Sequence, residues 1–424
     1  MEASSTQWKG RAVHLREDLR FSTGRGTYID DMKFPDTLHV ALLRSVHAHA
    51  RIRRVDLSEA LAMPGVVCGL TGEDAACMTE PLRPLIPIPA QLPAYCLAYG
   101  KVTHVGEPLA AILATSRYLA EDAIEKIQVD YEPLPAVVDP EAAMAPDAPL
   151  LFESMGTNIM WQDRFDYGDV DEVFGHATHV LKKRFYIQRY SSTALETFGC
   201  TAVFDDHREQ LTVWSNDQRP GQAMPIVAHS LGLTHAQIRF VTPDVGGGFG
   251  NKRKAQYLII VAILSKLSGG KPVHYLEDRR ENLMALIHAC NGVMDLEVAL
   301  DDDGHILGMK VRDIADEGAN VLNPTVHSIL KLGNLTNCYR IPVVRYEVNS
   351  VMTNKCPSGA NRGIGKPFMC LAIERMMDYL ARHLGTDPIE LRRKNLVPPD
   401  AMPYTGPSGA LIDSGDFGGT LDKL

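Results

Sequence analysis

Four glycines within five positions, in Val241-Thr242-Pro243-Asp244-Val245-Gly246-Gly247-Gly248-Phe249-Gly250, set the strongest constraint on this chain. A run so poor in side chains weakens any helix or strand that contains it. It also lets backbone N–H groups come close to a bulky anionic or oxo-bearing partner. A strand-like segment precedes it. Lys254–Ser268 follows, apolar nearly all round, which predicts a helix buried on several sides and stopped by Gly269-Gly270-Lys271-Pro272. The helix start, with Lys252, Arg253 and Lys254, adds positive potential at the loop. Two nucleotide loops are excluded. A dinucleotide fingerprint counted from Gly246 needs Gly or Ala at 251, where Asn251 stands. A P-loop needs Ser or Thr after its lysine, and Lys252 is followed by Arg253. Phe249 between glycines is odd for a plain hinge, because a bulky ring is costly to hold there.

With 424 residues the chain exceeds one ordinary domain, so two or three compact units are expected. Its 43 Lys and Arg against 52 Asp and Glu give a net charge of −9, which argues against a nucleic-acid partner. Met1–Thr6 has no apolar run behind a positive region, and the apolar stretch Leu258–Leu264 is far shorter than the roughly 18–20 residues a membrane span needs. A cytoplasmic protein without a membrane span is the expectation. The eight cysteines form no Cys-x-x-Cys pair, so neither a zinc knuckle nor an iron–sulfur run is present, and reduced, mostly buried thiols are expected.

The pattern divides the chain into an arm (1–19), a first domain (20–139), a surface linker rich in Pro, Ala and acids (140–157) and a second domain (158–424). The first domain alternates β-rich runs (Leu38–Leu43, Gly65–Val67, Val129–Tyr131) with one helix, Ser116–Ile127, capped by Ser116 and striped with Leu119, Ala120, Ala123, Ile124 and Ile127. The second mixes strands (Val180–Tyr186, Cys200–Phe204, Leu211–Ser215, Ile238–Thr242) with longer helices. One of these, Cys370–Leu384, carries an apolar face and an expected i,i+4 ion pair between Asp378 and Arg382.

Two further segments have chemical potential. Gln218, in Trp214-Ser215-Asn216-Asp217-Gln218-Arg219-Pro220, ends a strand and can donate through its amide to an oxo group or an anion. A second Gly-rich loop, Asn354–Pro367, holds Arg362, whose planar fork suits phosphate or pterin. His47 and His49 share a strand face but find no third ligand nearby in sequence. No Gly-x-Ser-x-Gly elbow or His-Glu-x-x-His appears, so a hydrolase or zinc enzyme has no support.

In order and spacing these segments resemble the molybdopterin-binding subunit of the xanthine oxidase/aldehyde oxidase/CO dehydrogenase family. Gly24-Arg25-Gly26-Thr27-Tyr28-Ile29-Asp30-Asp31, Arg44–Ala50 and Val105-Gly106-Glu107-Pro108 look like its N-terminal α/β hammerhead domain. Gln218-x-Pro220, Gly246–Lys252 and Ala360-x-Arg362-Gly363 look like its cofactor-approaching loops. The run from Asp378 through Leu384-Gly385 and Asp387-Pro388 to Asn395 looks like the helix and turn that follow.

The resemblance implies an α+β fold, with a hammerhead domain followed by the first molybdopterin-binding domain. It also implies a molybdenum–molybdopterin cofactor, in the cytosine dinucleotide form, whose metal is held by the pterin dithiolene and by no protein ligand. Water-derived hydroxylation of an aldehyde or N-heteroaromatic carbon follows, with electrons passed to 2Fe-2S and FAD partner subunits. By position Gln218, Gly247, Gly248, Phe249, Gly250 and Arg362 would meet the cofactor.

Departures narrow the substrate. Arg253 stands where purine-oxidising members carry Glu, Leu330 with Lys331 beside it where they carry Arg, and Ile364 where they carry Phe. Gly363 replaces the Cys of copper-binding CO dehydrogenases. Arg253, Lys331 and Ile364 are therefore expected at the pocket of a different small molecule, anionic or carbonyl-bearing. No acid here takes the family's general-base role. The chain ends about halfway through the family's usual subunit, so a second molybdopterin subunit, carrying the remaining half and the base, is expected. A reductive member acting on an aromatic CoA thioester, or a scaffold without cofactor, are the alternatives.

Overall fold

Two sheets organise the chain in a computed structural model that describes residues 12–84, 92, 94–322 and 325–424. The first eleven residues of the expected arm lie outside that set. A seven-stranded sheet runs in the order Ile238–Val241, Gln210–Ser215, Gly199–Asp205, Val273–Leu276, Leu38–Arg44, Pro108–Ala114 and Val66–Thr71. Its strands come from both sides of residues 140–157. Leu38 and His39 pair in parallel with Val273 and His274, and Leu38 N–H donates to Pro272 O at 2.8 Å. Pro108–Ala114 is buried along its whole length, and its small alanines let helix Arg117–Ile124 pack close. Ser116 caps that helix by accepting from Leu119 N–H at 3.2 Å.

The helix expected after the glycine loop spans Ala255–Leu267. It packs against strands Gly199–Asp205 and Val273–Leu276 on one side and helix Pro220–Leu231 on another. That explains a sequence apolar all round. Each fully buried Leu or Ile there is worth roughly 1.5–3 kcal/mol.

A five-stranded sheet follows in the order Ile159–Tyr167, Val343–Val351, Ile306–Asp316, Asn291–Leu300 and His179–Ile187. Its inner face, including Leu296, Val311 and Tyr346, packs on Met369, Ile373, Met376 and Leu380 of helix Lys366–Leu384. Its outer face carries ion pairs such as Lys182–Glu297 (2.6 Å) and Arg184–Asp295 (2.7 Å), which at the surface add little stability. The helix begins at Lys366, ahead of the expected Cys370, because Pro367 sits in its first turn, where a missing N–H is harmless.

One expectation is corrected. Asp378 pairs with Arg375 and with Arg392 of the next helix, each at 2.9 Å, and Arg382 instead lies over the Tyr379 ring. The i,i+4 spacing was available, but Arg392 reaches the same carboxylate from the following helix. Residues 140–157 lie largely at the surface but are anchored in the fold. Pro140–Ala143 is helical, and Ala143 and Leu151 join Met160, Val293, Ile314 and Val351 in a core of their own. All eight cysteines are unpaired; Cys96, Cys200, Cys290 and Cys356 are buried, while Cys77 and Cys370 are exposed. Among the described residues no helix is long and apolar enough to cross a membrane.

Candidate cofactor site

Three strand-to-helix loops build the site. The first joins Gln210–Ser215 to helix Pro220–Leu231, the second joins Ile238–Val241 to Ala255–Leu267, and the third joins Val343–Val351 to Lys366–Leu384. Gln210–Ser215 and Ile238–Val241 are parallel neighbours, so their C-terminal ends lie side by side and deliver the first two loops together. Each loop ends at a helix N-terminus, whose free N–H groups favour anions.

The loops touch at bare glycines. Gln218 Oε1 accepts from Gly250 N–H at 2.9 Å, while Gln218 N–H donates to Lys252 O at 3.0 Å. A Cβ on Gly248 would lie 2.4 Å from Gln218 Oε1, and one on Gly250 would lie 2.1 Å from Ala360 O. Gly250 has φ +111, a conformation that strains any side chain. The ring of Phe249 folds back over Gly247, whose Cβ would come within 2.8 Å of it. Phe249 and Ile364 are themselves left-handed, at φ +54 and +40. Strain of this kind at bulky residues persists only where the surroundings enforce it.

This arrangement fits a flat, oxygen-rich cofactor. Absent side chains leave a cradle, and the carbonyl end of Gln218 is anchored by Gly250, so its NH2 end is the one turned to donate. Arg362 is exposed at the rim, and among the described residues no carboxylate pairs with it.

Glu196 holds the cradle from behind. Its Oε2 accepts from Gly246 N–H at 2.7 Å and from the Lys252 ammonium, which braces the loop. Asp244 does the same at the loop's start. It takes Thr27 N–H at 2.7 Å and the Arg20 guanidinium, which holds its carboxyl below the usual range. Buried Asn251 lies between Ser192 and Ala360 and stitches the second loop to the third. No spacing rule points to Arg20 or Ser192, because their partners are more than fifty residues away.

The three basic residues after the loop do not act as one patch. Lys252 is consumed by Glu196, Arg253 turns to Gln222 Oε1 at 2.8 Å, and Lys254 is buried with its ammonium on Ala285 O at 2.6 Å. Lys331 is corrected more sharply. It is 2% exposed, and its ammonium binds both oxygens of buried Asp313, at 2.6 and 2.9 Å. Tyr346 donates to the same carboxylate at 2.7 Å. With its charge already neutralised under the five-stranded sheet, Lys331 is withdrawn as a substrate cation. Ile364 stays on the third loop, half-buried, and Arg253 remains beside a cavity between the hammerhead segment and the loops.

Residues 23–135 match the aldehyde oxidase and xanthine dehydrogenase a/b hammerhead domain, and residues 151–396 match the molybdopterin cofactor-binding domain. The carbon monoxide dehydrogenase large chain of Hydrogenophaga pseudoflava is 36% identical over 96% of this chain and 53% of its own length. The structure of quinoline 2-oxidoreductase from Pseudomonas putida 86 superposes with a TM-score of 0.91 at 34% identity, over 98% of this chain and 53% of that one. The nicotinate dehydrogenase large molybdopterin subunit of Eubacterium barkeri is 30% identical over 89% of this chain and 87% of its own length. This chain thus spans about half of the first two relatives and most of the third. A hammerhead segment followed by three loops that meet in a glycine cradle therefore has a settled lineage: the chain belongs to the molybdopterin-binding subunits of the xanthine oxidase/aldehyde oxidase family of molybdenum hydroxylases.

Proposed function

We propose that the cradle of Gln218, Gly247, Gly248, Phe249, Gly250 and Arg362 is one wall of a molybdenum–pterin site, in an enzyme that hydroxylates an aldehyde or N-heteroaromatic carbon. The observation that carries this is the meeting of Gly248 with Gln218 and of Gly250 with Ala360, a packing so close that only glycine allows it and that brings the three loops together at Gln218 and Phe249. When bound, the cofactor, taken here in its cytosine dinucleotide form, supplies the oxidising centre and the water-derived oxygen. Gln218 would present its amide N–H to the cofactor, Phe249 would lie beside it, and Arg362 would hold its outer end. Electrons leave to 2Fe-2S and FAD partner subunits.

The proton acceptor comes from outside these residues. Glu196, the carboxylate against the loops, is already bound by Gly246 and Lys252. A second molybdopterin subunit is proposed to bring that base and to cover Leu195, Val245 and Phe249, apolar side chains left exposed around the loops. Copper-assisted CO oxidation is not proposed. Gly363 carries no thiol, and at φ +102 a Cβ there would come within 2.5 Å of Pro367 Cγ.

The test is molybdenum per complex, with this chain co-purified with its partners, followed by dye-linked turnover of aldehydes and N-heteroaromatics. Gln218→Ala is expected to keep the metal and to lose about 100-fold in kcat, the usual cost of one donor to a reacting oxygen. An intact complex without molybdenum would leave only a scaffold.

A further inference from the structure

The cavity beside the loops has a volume of about 110 Å³ and is lined by His104 and Glu107 of the hammerhead segment and by Arg253, Lys254, Tyr257 and Ala360. A single water needs roughly 10–15 Å³ by the same measure, so several heavy atoms fit. Ala360 belongs to both cavity and cradle, since its carbonyl is the atom that Gly250 approaches.

The charges around this cavity do not balance. Lys254 is 2% exposed, yet its ammonium bonds to a single backbone carbonyl, that of Ala285, and lies 5.5 Å from the Tyr257 ring centroid. Among the described residues no carboxylate comes within ion-pair distance of it. The acid that acts on it from further off is Glu277, which gives one oxygen to Asn282 and leaves the other without a partner. Burial lowers Lys254 only to about 8, so it stays charged at neutral pH. Arg253 has the Gln222 amide and likewise no carboxylate. On the opposite wall burial keeps His104 neutral, its pKa near 3, and lifts Glu107 to about 7 while Thr103 donates to its Oε2 at 2.6 and 2.9 Å. The two cations thus have no carboxylate within ion-pair distance among the described residues, and the acids that act on them, Glu277 and Asp217, do so from further off. A buried cation without a counter-charge is expensive, and a ligand anion is what removes that expense.

We infer that this cavity is the subsite for the carboxylate of a small aromatic acid, held by Arg253 and Lys254, with the ring lying towards Ala360 and the cradle. Leu82, Ala94 and Leu322 supply apolar wall for the ring. The turnover of such an acid rests on the function proposed above; its binding does not. Lys254 takes the place that the sequence assigned to Lys331.

The test uses the assembled complex, titrated by calorimetry with benzoate, its neutral isostere benzamide and inorganic phosphate. Benzoate is expected to bind about tenfold tighter than benzamide, a difference of the size one well-placed charge pair gives. Lys254→Met, close in volume, and Arg253→Gln, at a half-exposed position, are each expected to lower benzoate affinity about tenfold and leave benzamide within about twofold. Equal affinity for benzoate and benzamide overturns the subsite. So does an equal loss of both in the variants, or phosphate displacing benzoate at matched concentration. Molybdenum measured on the same samples separates the two proposals. A metal-free complex that still prefers benzoate sinks the enzyme reading and keeps the subsite, whereas a loaded complex without the preference sinks the subsite alone.

Discussion

Lys331→Met lowers the stability of this chain by about 3–5 kcal/mol, the usual result of removing one partner from a buried ion pair. The cause is Asp313. Its carboxylate is 2% exposed and loses both contacts from the ammonium, keeping only the hydroxyl of Tyr346. Adding Asp313→Asn to that variant removes the stranded charge while leaving Tyr346 an acceptor, so the double variant recovers at least half of the loss. Equilibrium unfolding in urea reads both values. A Lys331→Met protein of unchanged midpoint but altered substrate KM would restore the lysine to the pocket and refute the structural assignment.

If the loops hold the cofactor as proposed, Gly250→Ala is expected to empty the site without removing any functional group. The new methyl would sit 2.1 Å from Ala360 O in a backbone region that strains a side chain, so the second and third loops must part. The hydrogen bond from Gly250 N–H that orients Gln218 goes with them. Molybdenum content is expected to fall below about a tenth of wild type, with a stability loss of about 1–3 kcal/mol from the strain. Gly232→Ala is the control. It too is left-handed, at φ +65, but has open space around its Cβ position at the end of helix Pro220–Leu231. Equal metal content in the two variants would show that the cradle does not hold the cofactor.

Local chemistry made part of this readable from the sequence. Ser116 caps because its side chain reaches Leu119 N–H within its own turn, and Ala255–Leu267 reads as buried because nearly every position in it is apolar. The glycine loop stands out since only glycine tolerates its close approaches. Other features depend on partners that no spacing rule supplies. Lys331 is adjacent to the residue at the family's pocket position, but which way its ammonium turns depends on Asp313, on a strand of the five-stranded sheet. Asp378 has two arginines at helical spacing and a third on the following helix, and packing chooses Arg375 and Arg392. Residues 140–157 have the composition of a surface loop, yet Ala143 and Leu151 find apolar neighbours delivered from strands 140 residues and more downstream, such as Asn291–Leu300.

The parallel pairing of Leu38 and His39 with Val273 and His274 also fixes an order of events during synthesis. A chain growing from its N-terminus presents the edge of Leu38–Arg44 long before its partner exists. That edge carries unpaired N–H and C=O groups, an invitation to wrong pairing. It stays open until residue 276 has left the ribosome, which at about 5–20 residues per second is a wait of roughly ten to fifty seconds. The first 139 residues are thus a hammerhead with one side left unfinished. The strand that completes it, Val273–Leu276, comes only after the glycine loop and the buried helix Ala255–Leu267 have been made.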